Sequence, residues 1–249
     1  DITGAFMTAD IDTDIYMDLP PGYHLPPGKT IRLLKSLYGL RQSPGLFHDT
    51  LEAWLREYGF RAVDDEGTIF KFTRGKEMIL LSLFVDDGLC ATNSNSLYND
   101  FVRDLKGKFE LSDQGDLNWY LGVDIKHDRE GGVTTLNQGA FVDTMLKRFN
   151  MDGCKPVSTP CEPNSHLLRS DQPLVPDKTA TRDYQRLVGG LMYLSSFTRP
   201  DISYAVNQCA KFMANPGPTH VIAAKRILRY LAATRHLGIT YRRSELPGH

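Results

Sequence analysis

The chain has 249 residues, 41% of them hydrophobic, and a formal net charge of −1. This length and apolar content suit one large or two modest domains with a sizeable core, and they exclude fibrous and disordered chains. No apolar run reaches the roughly 20 residues that span a bilayer, and no charged-then-apolar leader opens the chain, so we expect an intracellular protein with no membrane partner. The four cysteines lack the C-x-x-C spacing of zinc or redox sites, so we expect buried or incidental thiols and no disulfides.

Charge is distributed unevenly along the chain. The first 150 residues carry 16 Lys and Arg against 23 Asp and Glu, whereas residues 151–249 carry 13 against 7. An acidic part that holds metals and a basic part that holds phosphates would suit an enzyme acting on a polyanion. Two domains with different surface charge would give the same counts.

The first elements follow from short apolar runs between Gly and Pro residues. The run "DITGAFM" is typical of a strand, and "TIRLLKSLYGL" predicts a strand that enters a turn at Gly39. Apolar residues then recur at spacings of three and four between Pro44 and Tyr58, which predicts an amphipathic helix that ends near Gly59.

Two adjacent acids, Asp86 and Asp87, follow the second arm of a predicted hairpin. The strands "TIFKFT" and "MILLSLF" are separated by "RGKE", and the second strand runs directly into the two acids. The simpler interpretation is a turn, because Asp and Gly tolerate the backbone angles of tight turns. Neighbouring carboxylates repel each other, however, so a partly buried pair needs hydrogen bonds or a cation. A divalent metal such as Mg²⁺ would supply that cation.

The middle of the chain continues this alternation of helix and hairpin. Apolar residues four apart predict a helix over 96–109. The segments "DLNWYLGVDIKHD" and "GVTTLN", joined around "REGG", predict a second hairpin. A third helix is predicted over 139–149.

The last third of the chain changes character. Residues 153–180 contain five prolines among Ser, Thr and Asp without periodicity, which indicates a linker or an extended crossing segment. Beyond it the apolar spacing predicts three helices, near 182–197, 201–213 and 218–234.

The order of these elements predicts an α+β fold. Strand, helix, two hairpin strands and helix is the order of a ferredoxin-like antiparallel sheet with helices on one face. In that layout the first strand lies beside the second arm of the hairpin, which brings Asp1 next to Asp86 and Asp87. We expect one domain over 1–152, a linker over 153–180 and a helical region over 181–249.

Six segments of the chain form a recognisable ordered set: "DITGAF" with "DIYMDLPPGY", "LLKSLYGLRQSPGLF", "FVDD", "DLNWYLGVDI", "YQRLVGGLMYLSSFTRPDISYAV" and "HVIAAKRILRYLAATRHLGITY". In this order they resemble the reverse transcriptase region of copia-type long-terminal-repeat retrotransposon polyproteins. The resemblance covers essentially the whole chain, and the ordered set is far more specific than any one member.

The resemblance implies a polymerase palm with two bound Mg²⁺ or Mn²⁺ ions. The family holds them on three aspartates, in a D-x-x-x-A-F segment and an aromatic-x-D-D turn, which match Asp1, Asp86 and Asp87. The implied reaction is attack of a primer 3′-hydroxyl on the α-phosphate of a deoxynucleotide, with the Ile2 carbonyl as a further metal ligand. Phe84 stands where the family usually has Tyr, so the ring is kept and a hydroxyl for primer contact is lost.

The resemblance also implies residues that bind the nucleotide and the template. Phe6 matches the bulky position that excludes a sugar 2′-hydroxyl, although a core aromatic on a strand is an equally good interpretation. The segment "YGLRQSP" resembles the loop beneath the incoming base, where Gly39 lets the backbone approach closely and Arg41 and Gln42 offer polar contacts. A turn before a Pro-started helix is the alternative.

A further segment, "NWYLG", resembles the hairpin that grips the primer end in this family. The resemblance makes Trp119 and Tyr120 the candidate contacts. Buried aromatic residues would account for the same segment equally well.

The last predicted helix carries three basic residues away from its apolar face, Lys225, Arg226 and Arg229. A basic face can follow a phosphate backbone, but such charges more often only solvate a helix. In the family this region corresponds to the thumb, which clamps the template-primer duplex.

The resemblance further implies parts and partners outside this sequence. The family's fingers precede the first aspartate and an RNase H domain follows, and a terminal Asp1 with an α-ammonium would be a poor metal ligand, so we expect little activity from this chain alone. The implied partners are an RNA or DNA template with its primer and deoxynucleotides. The implied setting is a cytoplasmic virus-like particle, with a nuclear stage of DNA integration left open.

Two other functions stay open from the residues alone. One is a non-catalytic, element-derived fragment that binds nucleic acid or a protein. The other is a two-metal nuclease, which also uses clustered carboxylates.

Overall fold

The structure is a computed structural model that describes residues 1–24, 26, 28–163 and 166–243. It is an α+β protein whose sheets are antiparallel, as the sequence predicts. The chain divides into two compact units, Asp1–Gly115 and Asp116–His249. Among the described residues, no helix combines the length and apolar character needed to cross a bilayer.

The first unit is built around a four-stranded meander. Its strands lie in the order β3-β4-β5-β6, and β1 and β2 pair separately. Its described elements are α1 (Ala5–Thr8), β1 (Tyr16–Met17), β2 (Ile31–Arg32), α2 (Ser43–Tyr58), β3 (Arg61–Ala62), β4 (Ile69–Arg74), β5 (Glu77–Phe84), β6 (Asp87–Thr92) and α3 (Asn95–Lys108). The two long helices and the hairpin are those predicted from the sequence.

One apolar cluster joins α2 and α3 to the meander. The helices contribute residues spaced three and four apart, and the strands contribute alternate residues, because those spacings place side chains on one face of each element. The fully buried members include Phe47, Leu51, Leu55, Phe70, Ile79, Leu97 and Phe101. Ser94 caps α3 by accepting a hydrogen bond from the Leu97 N–H, and Gly59 ends α2 with φ 113.

The opening segment is not the strand that the sequence predicts. Ile2 forms a single antiparallel bridge with Leu111, and Ala5–Thr8 form one turn of helix. Gly4 lies between them with φ 63, a conformation that glycine adopts at little cost. The extended backbone therefore stops after three residues, and the prediction of a strand over "DITGAFM" is wrong.

The second unit contains a four-stranded sheet and four α-helices within its described residues. Its strands lie in the order β10-β9-β8-β7. The elements are β7 (Trp119–Tyr120), β8 (Val123–Asp128), β9 (Val133–Asn137), α4 (Gly139–Arg148), α5 (Lys178–Phe197), α6 (Ser203–Ala210), α7 (Pro218–Ala233) and β10 (Ile239–Arg242). The sequence predicts the hairpin and the helices but not the last strand.

The helices of the second unit share one core. Helices α4, α5, α6 and α7 bury apolar side chains against each other, among them Met145, Leu146, Leu187, Leu191, Leu194, Val206, Ile227, Leu228 and Leu231. Because α4 and the β7-β8-β9 sheet belong to this unit, the division at residue 115 differs from the predicted boundary at 152. The palm, linker and thumb assignments stay predictions.

A buried arginine joins the segment after α5 to the end of α7. Arg199 is 1% exposed and forms two hydrogen bonds with the Asp201 carboxylate, at 2.9 and 2.7 Å. It also donates to the backbone oxygen and the hydroxyl of Thr234, at 3.0 and 2.7 Å, and its guanidinium lies 5.6 Å from the Tyr230 ring centroid. Tyr230 donates to the same Asp201 carboxylate at 2.8 Å. All the charge in this network is therefore compensated.

Candidate functional site

The two acids singled out from the sequence lie at the tip of the β5-β6 hairpin. Phe84 pairs with Asp87, so Val85 and Asp86 form a two-residue turn. Asp86 is half-buried, Asp87 is exposed, and the Phe84 side chain is 55% exposed. The hairpin thus presents both carboxylates and an aromatic ring at one end of the sheet.

The turn holds a β-branched residue in an unfavourable backbone conformation. Val85 has φ 58, in the left-handed region that hairpin turns usually fill with Gly, Asn or Asp. A non-glycine residue held there costs about 1–3 kcal/mol, and such strain persists only where the surrounding structure enforces it. The β5-β6 ladder enforces it here, on the residue that directly precedes Asp86.

Backbone hydrogen bonds fix the start of the chain beside this turn. The Ile2 N–H donates to the Asp86 carbonyl oxygen at 3.1 Å, and the Ser112 N–H donates to the Asp1 carbonyl oxygen at 2.9 Å. The Asp1 α-ammonium donates to the Ser112 oxygen at 3.2 Å, and Ile2 is buried in the core. Asp1 is therefore held at the hairpin tip although its own side chain is exposed.

The side-chain oxygens of Asp1, Asp86 and Asp87 have no hydrogen-bond or ion-pair partner among the described residues. Their carboxylates do not form a trio with all ligand atoms within 4.8 Å of one another in the described part of the chain. The Asp1 and Asp87 side chains are exposed and Asp86 is half-buried, so the backbone brings the three residues together without locking their carboxylate oxygens in one position. Uncompensated carboxylate oxygens are the donors that Mg²⁺ and Mn²⁺ prefer, so these residues fit such ions.

Phe6 lies in the core of the first unit. It is 9% exposed, and its ring centroid lies 4.5 Å from that of Tyr38 and 6.2 Å from that of Phe47. It belongs to the helical turn α1 and not to a strand. The burial of Phe6 therefore agrees with its interpretation as a core aromatic residue. Its role in sugar selection stays a prediction.

The segment before α2 forms a turn, as its alternative interpretation predicts. Gly39 has φ 98, and α2 begins at Ser43. The Gln42 side-chain amide donates to the Thr13 hydroxyl at 3.4 Å. Arg41 is exposed and has no side-chain partner among the residues described. Of the predicted polar contacts, Arg41 is thus the more available to a ligand.

The predicted primer-gripping hairpin has one exposed aromatic residue. Trp119 on β7 is 52% exposed, whereas Tyr120 is half-buried. The turn that follows places Leu121 at φ 48 and Gly122 at φ 81, and the Tyr193 hydroxyl donates to the Leu121 oxygen at 2.6 Å. Trp119 is therefore not a buried core residue, and its indole face is available for stacking.

Two of the three basic residues on α7 bind their own chain. Arg226 donates to the Glu162 carboxylate at 2.9 Å and to the Thr159 hydroxyl at 3.1 Å. Arg229 donates to the Lys155 backbone oxygen at 2.7 Å. These bonds hold the Pro-rich segment against the helix. The sequence predicts either phosphate contact or solvation for these arginines, and neither interpretation includes such bonds. Lys225 is exposed and has no side-chain partner within the described ranges.

A family model described as "Reverse transcriptase (RNA-dependent DNA polymerase)" matches residues 1–163. This match covers the hairpin with Asp86 and Asp87, the opening segment that lies beside it, and the β7-β8-β9 sheet. The chain belongs to this reverse transcriptase family.

Its relatives are proteins of retrotransposons, so the copia-type resemblance is confirmed. The chain is 36% identical over 241 residues to the retrovirus-related Pol polyprotein from transposon RE1 of Arabidopsis thaliana, covering 96% of this chain and 16% of that one. It is 34% identical over 240 residues to the corresponding polyprotein from transposon TNT 1-94 of Nicotiana tabacum, covering 94% and 18%. A transposon Ty5-1 protein of Saccharomyces cerevisiae is 29% identical over 244 residues, covering 97% and 78%.

The chain therefore spans less than a fifth of the two plant polyproteins and corresponds to one part of each. No solved structure matches the chain.

Proposed function

We propose that this region extends a primer with deoxynucleotides on an RNA or DNA template, using Asp1, Asp86 and Asp87 to hold two Mg²⁺ or Mn²⁺ ions. The observation that carries the proposal is the hydrogen bond from the Ile2 N–H to the Asp86 oxygen at 3.1 Å. It holds the backbone of Asp1 beside Asp86, and the carboxylates of Asp1, Asp86 and Asp87 have no ion-pair partner among the described residues. Family membership supports the reaction type.

The carboxylates would position the ions and leave their outer faces open to phosphate oxygens. When bound, the ions would supply the Lewis acidity that favours the attacking 3′-hydroxylate and the leaving pyrophosphate. The β5-β6 ladder fixes the backbone of Asp86 and Asp87, while their side chains stay free to adopt the geometry that ligands require. The ladder therefore orients the acids without filling their coordination positions.

Aromatic and basic side chains would contact the nucleic acid and nucleotide. Phe84 exposes its ring beside the two acids, where it can pack against a sugar or base at the primer end. Arg41, exposed before α2, offers a guanidinium to a phosphate. In the second unit, Trp119 offers an indole face to a base.

Primer extension tests the proposal. The protein is prepared both as this chain and, where the reading frame continues upstream of Asp1, joined to those residues. Each form is incubated with a DNA primer on an RNA template, deoxynucleotides and Mg²⁺. Asp86→Asn should lower the rate of extension by at least about a hundredfold, because lost metal ligation removes several kcal/mol of transition-state stabilisation. Asp65→Asn is the matched control, since Asp65 is an exposed turn aspartate of the same unit.

Equal extension by Asp86→Asn and Asp65→Asn would overturn the proposal. Salt-sensitive binding of an RNA-DNA duplex without Mg²⁺-dependent extension by either form would favour a non-catalytic binding fragment. Degradation of the strands in place of extension would indicate a nuclease.

A further inference from the structure

A second group of metal-ligating side chains lies on α2, apart from the three aspartates. His48, Asp49 and Glu52 each offer one ligand atom, and these atoms all lie within 4.8 Å of one another. The His48 Nδ1 is 3.6 Å from an Asp49 carboxylate oxygen and 3.8 Å from a Glu52 carboxylate oxygen. Neither polymerase function nor core packing requires this group.

The orientation of the imidazole is fixed from outside the group. The His48 Nε2 lies 2.9 Å from the Gly67 backbone oxygen. A carbonyl oxygen can only accept, so Nε2 carries a proton and Nδ1 is the ring nitrogen that faces the two carboxylates. Without a proton of its own, Nδ1 can donate its lone pair to a metal ion. Metal-binding histidines commonly donate their second N–H to a backbone carbonyl in this way, because that bond sets the tautomer and the ring angle.

The Glu52 carboxylate is also oriented by a neighbour. Arg56 donates to one of its oxygens from Nε at 2.8 Å and from Nη2 at 2.6 Å. The other oxygen faces His48. The Glu52 side chain is 22% exposed and Asp49 is 79% exposed, so two ligands are held in place and the third is mobile.

We propose that His48, Asp49 and Glu52 bind one transition-metal ion of the Zn²⁺ class, with water completing the coordination. Zn²⁺ binds imidazole nitrogen and carboxylate oxygen at about 2.0–2.2 Å, which in a tetrahedral site separates neighbouring ligands by roughly 3.4 Å. The observed separations of 3.6 and 3.8 Å between the His48 Nδ1 and the two carboxylate oxygens lie within about 0.4 Å of that value. A nitrogen donor favours Zn²⁺ over Mg²⁺, so the site differs in chemistry from the three aspartates.

Such an ion would stabilise the first unit. The hydrogen bond from His48 to Gly67 links the ligand set on α2 to the turn that precedes β4. An ion bound only by the folded chain raises the temperature of unfolding. The alternative is a protonated His48 that pairs with the two carboxylates in similar positions without a metal. The experiment below distinguishes this ion pair from a bound metal ion.

Isothermal titration of the whole chain with Zn²⁺ tests the proposal. His48→Gln and Glu52→Gln should each weaken the binding of one equivalent of Zn²⁺ by at least about tenfold, since even second-shell changes have effects of that size. Glu57→Gln, an exposed glutamate on the same helix, should bind Zn²⁺ like the wild type. Zn²⁺ should raise the unfolding temperature of the wild type and of Glu57→Gln more than that of His48→Gln.

A second measurement does not depend on the variants folding. Co²⁺ added to the wild-type chain should broaden the imidazole NMR signals of His48 before those of the other six histidines. The proposal is overturned if His48→Gln binds Zn²⁺ as the wild type does, or if Co²⁺ broadens other histidines first.

Discussion

The backbone N–H of Ile2 donates a hydrogen bond to the backbone oxygen of Asp86 at 3.1 Å, although the two residues are 84 positions apart in the sequence. A backbone bond of this kind does not depend on which side chains are present. It aligns Asp1 with the tip of the hairpin while the Asp1 carboxylate stays free. The candidate site is thus assembled by main-chain geometry, and its acids remain available for ligands.

Replacing Val85 by Gly should stabilise the chain. Val85 has φ 58 in the turn before Asp86, and relief of this strain should exceed the entropy cost of a new glycine, so the free energy of unfolding should rise by about 1 kcal/mol. Urea denaturation measures the change. Val63→Gly is the control, because Val63 is exposed and has no positive φ, and it should destabilise. A less stable Val85→Gly would show that the turn is not strained.

Replacing Arg199 by Met should strongly destabilise the chain. Arg199 is 1% exposed and compensates the Asp201 carboxylate, and removal of one partner of a buried pair costs about 3–5 kcal/mol. Arg186→Met removes an exposed pair with Asp183 and should cost less than about 1 kcal/mol. Thermal denaturation compares the two variants, and equal losses would contradict the buried network.

The same network predicts how stability depends on pH. Burial raises the pKa of Asp201, but hydrogen bonds from Arg199 and Tyr230 outweigh this and hold the pKa below its usual value of 3.8. A carboxyl whose pKa is lowered on folding stabilises the fold above its unfolded pKa, and that contribution is lost as pH falls through the folded pKa. The stability difference between wild type and Asp201→Asn should therefore be constant from pH 7 to 5 and shrink below about pH 4. Unfolding midpoints measured across this range check it, and a difference that grows in acid would contradict it.

The long elements could be predicted because their evidence is local. A window of a few residues is enough to recognise the apolar spacing of α2, the Gly59 that ends it, and the alternation on β4 and β5. The hairpin turn at Asp86 was also predictable from local residues, whereas the metal role of Asp86 and Asp87 stays a prediction. The sequence analysis did not identify His48 and Glu52 as candidate ligands, although two metal-ligating residues four apart on a helix are a local signal.

The remaining features depend on contacts between distant residues. The opening segment is apolar like a strand, yet Gly4 turns it and its partners are residues 110–112. Arg226 and Arg229 bind a segment without any periodicity, so no pattern could assign them. The burial of Arg199 is likewise a property of packing, because a charged residue before Pro is usually exposed.

The contacts of α7 predict which basic residue affects nucleic-acid binding. Lys225 is exposed and has no side-chain partner in the described part of the chain, whereas Arg226 is bound to Glu162 and Thr159. If α7 contacts a phosphate, Lys225→Gln should reduce the slope of log affinity against log salt by about 0.7–0.9, and Arg226→Gln should leave it nearly unchanged. Fluorescence anisotropy with an RNA-DNA duplex measures both slopes. A larger change for Arg226→Gln would show that its bonds to the Pro-rich segment open on binding.

The proposal that Asp1, Asp86 and Asp87 share a metal site is tested most directly by anomalous diffraction from crystals of the chain soaked in Mn²⁺. We expect anomalous density for Mn²⁺ at the tip of the β5-β6 hairpin, with carboxylate oxygens of all three aspartates as ligands of the ion. Mn²⁺ found only elsewhere, or an Asp1 carboxylate directed away from the hairpin tip in the Mn²⁺-bound crystal, would contradict it.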